Sequence, residues 1–463
     1  MDMANLDFQK SGAFIVGLSD CDEKVTAAGG RVSTQEGTAL EIWNKSQDAQ
    51  KNANLIDKVT KSGHNSVVEH TYYNLVFQNV SAVVEQFLIE FRLAAFTVKS
   101  RRYVNFSDAG FFVPEFQDEK LKSRFKEHMA SLFALYTEFV EAGVPKEDAR
   151  FVLPYCLFSN FFCSVNGREF LHMLKAMIYG RGSRFPEIKA LGLSLLEQGR
   201  EKTPGIFKDF ELRGENYQDD LDLSFLNIKR GNAKEQELVE LLSFTTDAEE
   251  KIAKNALITK YGISTKEAED ICKDKDTVSK ILEATLHSDR PRPLENAVYT
   301  LRYNGVTLSG ITHFTRHRMQ SLEVPSLTAA DHSRYILPPS IVENAALFEK
   351  YKAAFAKSLD EYKAMQALGV KEEDLVYYLL SGNVMDILST MNARELLLFL
   401  RLRTCTRAQW EIRAHAIKAL QLLRGVSPDL FKFYGPSCFI DHCPEGRLSC
   451  GRMLEMKEFF KMK

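Results

Sequence analysis

An internal duplication constrains this 463-residue chain more than any other feature. The segment LYTEFVEAGVPKEDARFVLP (135–154) reads like EYKAMQALGVKEEDLVYYLL (361–380). Each is an apolar-periodic helix ended by a Gly-Val pair, at Gly143 and Gly369. Glycine just past the last periodic residue is the usual helix stop. Asn166-Gly167-Arg168 and Asn392-Ala393-Arg394 each begin 23 residues after that glycine, and each is followed by Glu and an apolar helix. Upstream, EHTYYNLVFQNVSAVVEQFLIEFR (69–92) matches ENAVYTLRYNGVTLSGITHFTRHR (295–318), with Glu69 to Glu90 and Glu295 to Arg316 both 21 apart. Four landmarks in one order at equal spacings predict a tandem repeat. The chain must therefore solve one folding problem twice, over residues 1–213 and 236–434. The polar stretch 214–235 reads as a linker and the Cys-containing segment 435–463 as a tail.

Each copy predicts the same elements. A helical segment, 39–62, stops at Gly63. Tyr73, Leu75 and Phe77 then alternate with Tyr72, Asn74 and Gln78, the period-2 pattern of a half-buried strand. A helix follows with Ser81 as its N-cap. In the second copy the strand is expected at 297–304, with Asn304-Gly305 as a turn and a helix running on to Arg316. The expected class is α+β, two tandem repeats that each place a sheet among long helices. A net charge of −2 offers no global attraction to polymeric nucleic acid or to a membrane surface, so any anion binding must be local. No apolar run approaches the ~18 residues of a membrane helix, the N-terminus lacks the basic-then-apolar pattern of a signal peptide, and five of the eight cysteines stand isolated. A cytoplasmic protein is expected.

Arg316, His317 and Arg318 stand side by side in the second copy, followed by Ser321, Ser326 and Arg334-Tyr335. Neighbours on a helix point about 100° apart, so three adjacent cations cannot share a face, and they repel one another unless an anion sits among them. Their position at a helix C-terminal end also gives a purely structural reason for positive charge.

These stretches resemble the flavin-dependent thymidylate synthases, whose signature joins GHxSxxEH, RHRxxSxxxxSxRY, NxR and an AQxEIR helix. The first copy reads SGHNSVVEH (62–70), EFRLAAFTVKSRRYVNF (90–106), ARFVLP (149–154) and VNGRE (165–169); the second reads RHRMQSLEVPS (316–326) and MNARELLLFLRLRTCTRAQWEIR (391–413). The resemblance implies FAD reduced by NADPH, and transfer of a one-carbon unit from methylenetetrahydrofolate to C5 of dUMP, giving dTMP. It implies flavin contacts from Ser33, His64, Ser66, Glu69, Asn166 and Arg168 in the first copy. In the second copy the implied contacts are Arg316, His317, Arg318, Asn392 and Arg394. Nucleotide contacts fall on Ser100, Arg102, Arg150, Ser326 and Arg403, with Arg316, His317, Arg403 and Ser100 nearest the chemistry. Neither Ser100 nor Ser326 has a local histidine that would make it a nucleophile.

The copies depart from the signature in complementary ways. In the first, Arg-His-Arg has become Glu90-Phe91-Arg92, and Ala95 replaces a serine; a Glu where a guanidinium would meet an anion repels it. The second has lost GHxSxxEH, reading DRPRPLEN (289–296) with only Glu295 in register. It places Val376 opposite Arg150 and carries six extra residues before Arg334. Family members are homotetramers with shared sites, so the resemblance implies a homodimer acting as a pseudo-tetramer of repeats, with working sites that mix the His64–Glu69 segment and the Arg316–Arg318 segment. In the tail, Cys438, His442, Cys443 and Cys450 include the ligand types of tetrahedral Zn2+, although adjacent His442 and Cys443 would strain joint ligation. Two rivals remain: a flavoenzyme acting on a different nucleotide, and a non-catalytic nucleotide-binding scaffold.

Overall fold

The computed structural model describes residues 10–19, 23–226 and 237–462. The chain divides into two compact units, residues 1–230 with 337–381 and residues 231–336 with 382–463. Each contains a four-stranded antiparallel sheet of the same topology. The first runs β1-β2-β4-β3, with β1 Gly12–Leu18, β2 Tyr72–Ser81, β3 Ala95–Val98 and β4 Phe158–Asn166. The second runs β5-β6-β8-β7, with β5 Val239–Phe244, β6 Val298–Thr307, β7 Gln320–Glu323 and β8 Val384–Asn392.

Alternation explains which face each sheet buries. Tyr73, Leu75 and Phe77 on β2 are fully buried, as are Tyr299, Leu301 and Tyr303 on β6, while Tyr72 and Val298 at the strand starts are exposed. Each buried tyrosine at the head of its strand finds a hydroxyl partner, as a buried phenol requires. Tyr73 Oη meets Thr203 Oγ1 at 2.7 Å, and Tyr299 Oη meets Ser427 Oγ at 2.9 Å. The register is duplicated too: Tyr72 opposes Asn166 and Val298 opposes Asn392.

Both central strands carry a bulge at the same place, between Phe77 and Val80 and between Tyr303 and Val306. Asn79 and Gly305 take left-handed φ values of 48° and 68° there, a conformation that Gly and Asn tolerate best. A side chain on the neighbouring strand satisfies each freed N–H. Asn79 N donates to Asn160 Oδ1 (3.0 Å) and Gly305 N to Asp386 Oδ1 (2.9 Å). Asn304-Gly305 is thus a bulge inside a strand that runs on to Thr307, where the local sequence predicts a turn.

The predicted helix 39–62 is two helices, Ala39–Lys45 and Ala49–Lys61. The break is held by Arg31, whose Nη1 donates to Ser46 Oγ and Asn52 Oδ1 (2.7 Å each). Gly143 and Gly369 end the 23-residue helices Glu119–Glu141 and Ala345–Ala367, at φ 86° and 83°. Those helices pack together within the first unit through Arg124 Nε to Glu361 Oε2 (2.7 Å) and His128 Nε2 with Ser358 Oγ (3.0 Å). Among the described residues no helix is long and apolar enough to cross a membrane.

Ser81 caps the buried helix Ala82–Ile89, its Oγ accepting from Val84 N at 3.3 Å. Ser81 N in turn donates to Glu187 Oε1 (2.8 Å), whose other oxygen accepts from Tyr377 Oη (3.0 Å). Burial pushes the Glu187 carboxyl up to about 6, against the pull of those bonds. Below the ordinary carboxylate range both states hold the proton. Between that range and about pH 6 only the folded state does, so stability falls as pH rises across the window. Thermal melts from pH 4 to 7 are expected to show that fall in the wild type and to lack it in Glu187→Gln.

Candidate functional site

The helix Leu308–Thr315 delivers the Arg-His-Arg run at its C-terminal end. Arg316 and Arg318 are exposed, whereas His317 between them is 3% exposed. Its ring packs edge-on to Phe399, with centroids 5.1 Å apart. Arg403 Nε lies 3.1 Å from His317 Nε2, and Glu395 Oε1 lies 3.1 Å from Nδ1. A guanidinium can only donate, so Nε2 accepts and the ring proton sits on Nδ1, facing the carboxylate. Burial is the main cause that lowers the His317 pKa; Glu395 opposes it and Arg403 adds to it. The expectation of three adjacent cations is therefore corrected: two guanidiniums point outward around one inward, neutral imidazole. That resolves the repulsion without an anion, and both arginines stay exposed.

Four contacts hold this arrangement. Thr307 caps the helix, its Oγ1 accepting from Gly310 N at 2.9 Å. Glu411, at the start of the helix Trp410–Val426, accepts from Thr307 N (2.6 Å) and Thr307 Oγ1 (2.8 Å). Asn392 caps the helix Ala393–Arg403 that carries both Glu395 and Arg403, accepting from Glu395 N at 2.9 Å. Arg394 donates to Glu295 Oε1 (2.6 Å). Glu395 and Glu411 are the supporting residues that motif reading passed over. Their signal was present, since Glu395 follows Arg394 directly and Glu411 is the acid of the AQxEIR run. Ser321 is exposed on β7, and Ser326 Oγ lies 2.9 Å from Thr328 Oγ1. The six inserted residues bring Arg334 onto Asp386 (2.9 Å).

The first repeat keeps the scaffold and changes the charges. Arg168 donates to Glu69 Oε1 at 2.7 Å, joining residues 99 apart just as Arg394 and Glu295 do. Asn166 caps the helix Gly167–Ile178. His64 and Ser66 are exposed around a short 3-10 helix at Asn65–His70, and Ser33 Oγ donates to Gly30 O (3.0 Å). Phe91 replaces the histidine and packs edge-on to His172, centroids 5.2 Å apart. Glu90 does not stand alone, because Arg181 Nη1 donates to its Oε2 at 2.6 Å. Burial raises the Glu90 pKa and Arg181 opposes that rise. Ser100, Arg102 and Arg150 are brought together around Glu147. Arg102 Nε donates to its carboxylate (2.8 Å), Arg150 Nε to its carbonyl (3.1 Å), and Arg102 N to Ser100 Oγ (3.3 Å). A cavity of about 390 Å³ opens beside Asn65 and Arg168.

The zinc expectation finds no support. Among the described residues no group of three or more His, Cys, Asp or Glu side chains is placed to hold a metal ion. His442 Nδ1 is taken by Asp441 (2.6 Å), and Cys438 is buried while Cys443 and Cys450 are partly exposed.

Comparison with known proteins finds the duplication as well. The profile of the thymidylate synthase complementing protein family matches residues 15–205 and again 240–429, well over half of the chain. The chain belongs to that family. It is 32% identical over 227 residues to a flavin-dependent thymidylate synthase of Geobacter sulfurreducens, covering 48% of this chain and 97% of that protein. It is 33% identical over 241 residues to one of Clostridium tetani (48% and 96%) and 36% identical over 206 residues to one of Saccharolobus solfataricus (44% and 78%). The first two of these relatives thus fit almost whole into less than half of this chain. A structure of a UMP/dUMP methylase from Streptomyces cacaoi, bound with 5-Br dUMP, aligns with 45% of this chain and 97% of its own at 19% identity and a TM-score of 0.38.

Removing the Glu395 carboxylate strands the Nδ1 proton of a buried ring, which costs about 1–3 kcal/mol. Urea unfolding of Glu395→Ala at pH 7.5 is expected to show that loss. His317 has a folded pKa below its unfolded one, so its contribution is complete above the ordinary histidine range and is lost as pH falls through it. His317→Asn should flatten that decline between pH 7.5 and 5.5.

Proposed function

We propose that this protein is an FAD-dependent enzyme that transfers a one-carbon unit to C5 of a pyrimidine nucleotide, converting dUMP to dTMP with methylenetetrahydrofolate as donor and NADPH as reductant. The observation that carries the reading is the Arg316–Arg318 cluster, built around a neutral, doubly bonded His317 in a chain of this family. The names of the relatives supply the flavin and the nucleotide.

The donor chemistry fits a dinucleotide cofactor. Exposed Arg316 and Arg318 offer guanidinium forks to a diphosphate, and both flank a ring that cannot compete for it as a cation. FAD, when bound, supplies the hydride chemistry. Arg316 and Arg318 bind its phosphates, while Asn392 and Arg394 hold the adjoining helix start in place. Arg403, fixed by His317, orients a guanidinium toward charge that develops on the pyrimidine. In the first repeat His64, Ser66, Glu69 and Arg168 serve the flavin, and Ser100, Arg102 and Arg150 the nucleotide phosphate. One Arg-His-Arg cluster per chain sets one flavin per chain. A homodimer and a cytoplasmic location follow from the family reading.

The second reading, a different nucleotide, is favoured by the insertion that commits Arg334 to Asp386 instead of a ligand. Release of label from C5-tritiated dUMP, with and without methylenetetrahydrofolate and NADPH, tests both. Release dependent on both additions supports dUMP methylation, and release from C5-tritiated UMP alone supports the alternative. A protein that binds flavin and releases neither label is not this enzyme. Arg318→Ala is expected to weaken FAD binding by about 1.5–3 kcal/mol in flavin fluorescence titrations, the range of a charge-assisted hydrogen bond.

A further inference from the structure

The helix Gly167–Ile178 is core on one side, with Phe170, Met173, Leu174 and Met177 fully buried. Its other side places Arg168, His172 and Lys175 at helical spacing, so their side chains share one face. That face is a wall of the cavity of about 390 Å³, which Asn65, Arg213 and Tyr217 help to close. The volume lies within the roughly 300–1,000 Å³ of small-molecule sites.

The cavity is electrostatically incomplete. The Lys175 ammonium makes no hydrogen bond or ion pair among the described residues. Arg213 Nε is buried without a hydrogen-bond partner, although Arg213 Nη2 donates to Ile206 O (3.0 Å) and to Lys208 O. Burial lowers the pKa of both groups, and in Lys175 the charge of Arg213 adds to the effect. The acids nearby are engaged elsewhere. Asp57 takes Lys61 (3.0 Å) and Lys208 (3.3 Å) through Oδ2, while its buried Oδ1 has no hydrogen-bond partner, and Asp209 takes Lys61 (2.6 Å). Glu69 takes Arg168 (2.7 Å) and Glu169 takes His172 (3.3 Å). Asp57 and Asp209 ease the charge on Arg213 without bonding to it. Two desolvated cations facing one cavity disfavour the empty state and favour an anion. Tyr217 and His172, edge to face with centroids 6.1 Å apart, form an aromatic wall beside them. Burial and Asp219 push the Tyr217 phenol up to about 12, so it stays a donor.

We propose that this cavity binds the phosphate or diphosphate of a nucleotide, with Lys175 and Arg213 as its anion contacts and the Tyr217–His172 wall beside the sugar or base. Neither Lys175 nor Arg213 belongs to any motif of the family signature. The phosphate has two sources, the flavin dinucleotide or a separate nucleotide; the first rests on the flavin reading, which shares Arg168 with this wall, and the second does not.

Calorimetric titration of the full chain with ADP, inorganic pyrophosphate and FAD tests this. Lys175→Ala and Arg213→Ala are each expected to weaken ADP and pyrophosphate binding about tenfold or more, the effect of losing one charge-assisted contact. Lys175→Arg should restore most of it, and exposed Lys126→Ala should change nothing. Melting temperatures of ligand-free Lys175→Ala are expected to hold or rise, since an uncompensated cation is removed; a merely structural lysine would lower them. If FAD displaces ADP and itself weakens in both variants, the diphosphate is the flavin's. If ADP binds alongside saturating FAD, the ligand is a second nucleotide. ADP binding lost in the variants, with no FAD binding to wild type, keeps this site and sinks the flavoenzyme reading. FAD binding that weakens in Arg318→Ala, with all three ligands unmoved in Lys175→Ala and Arg213→Ala, overturns the site and spares that reading.

Discussion

A buried carboxylate that receives the N-terminus of a short, buried helix is the contact on which each repeat depends. In the second repeat Glu411 accepts from Thr307 N and Oγ1, and Gln409 Nε2 adds a third bond at 3.1 Å. In the first repeat Glu187 accepts from Ser81 N. The positive end of the helix dipole and otherwise unsatisfied N–H groups make this the natural place for an acid. The consequence lies at the other end of the same helix, only eight residues long, where Arg316 or Glu90 emerges. Strand, bulge, cap and carboxylate together decide where the functional side chains point.

The two repeats show how far charge can change on a fixed scaffold. Both keep the ion pair between a short 3-10 helix (Asn65–His70 or Arg292–Asn296) and the capped helix, Glu69 with Arg168 and Glu295 with Arg394. At the tip, one copy presents two outward guanidiniums around a neutral His317, while the other turns a glutamate into a salt bridge with Arg181. Each solution satisfies its buried groups, so divergence has proceeded by compensated replacement. An uncompensated buried charge would cost several kcal/mol.

Legibility followed the range of the interaction. Helix stops at Gly143 and Gly369, caps at Ser81, Asn166 and Asn392, and the alternation of Tyr73, Leu75 and Phe77 are local, and they could be read directly. Asn304-Gly305 misled for the same reason. A local rule reads it as a turn, but Asp386, 81 residues away, supplies the bond that keeps it within the strand. Glu90 misled because its partner Arg181 lies 91 residues on, outside every motif.

The sequence by itself determined that the chain is a duplicated α+β protein of this family and which residues carry the signature, because spacing, periodicity and capping are properties of neighbours along the chain. Only the tertiary structure decided the charge state of His317. Burial against Phe399, a carboxylate and a guanidinium set it together, and none of them is its neighbour in sequence. It also decided that Lys175 and Arg213, 38 positions apart, share one cavity without a counter-ion. Electrostatic compensation depends on distance through space and on exclusion of water, and both are fixed only once the repeats have folded.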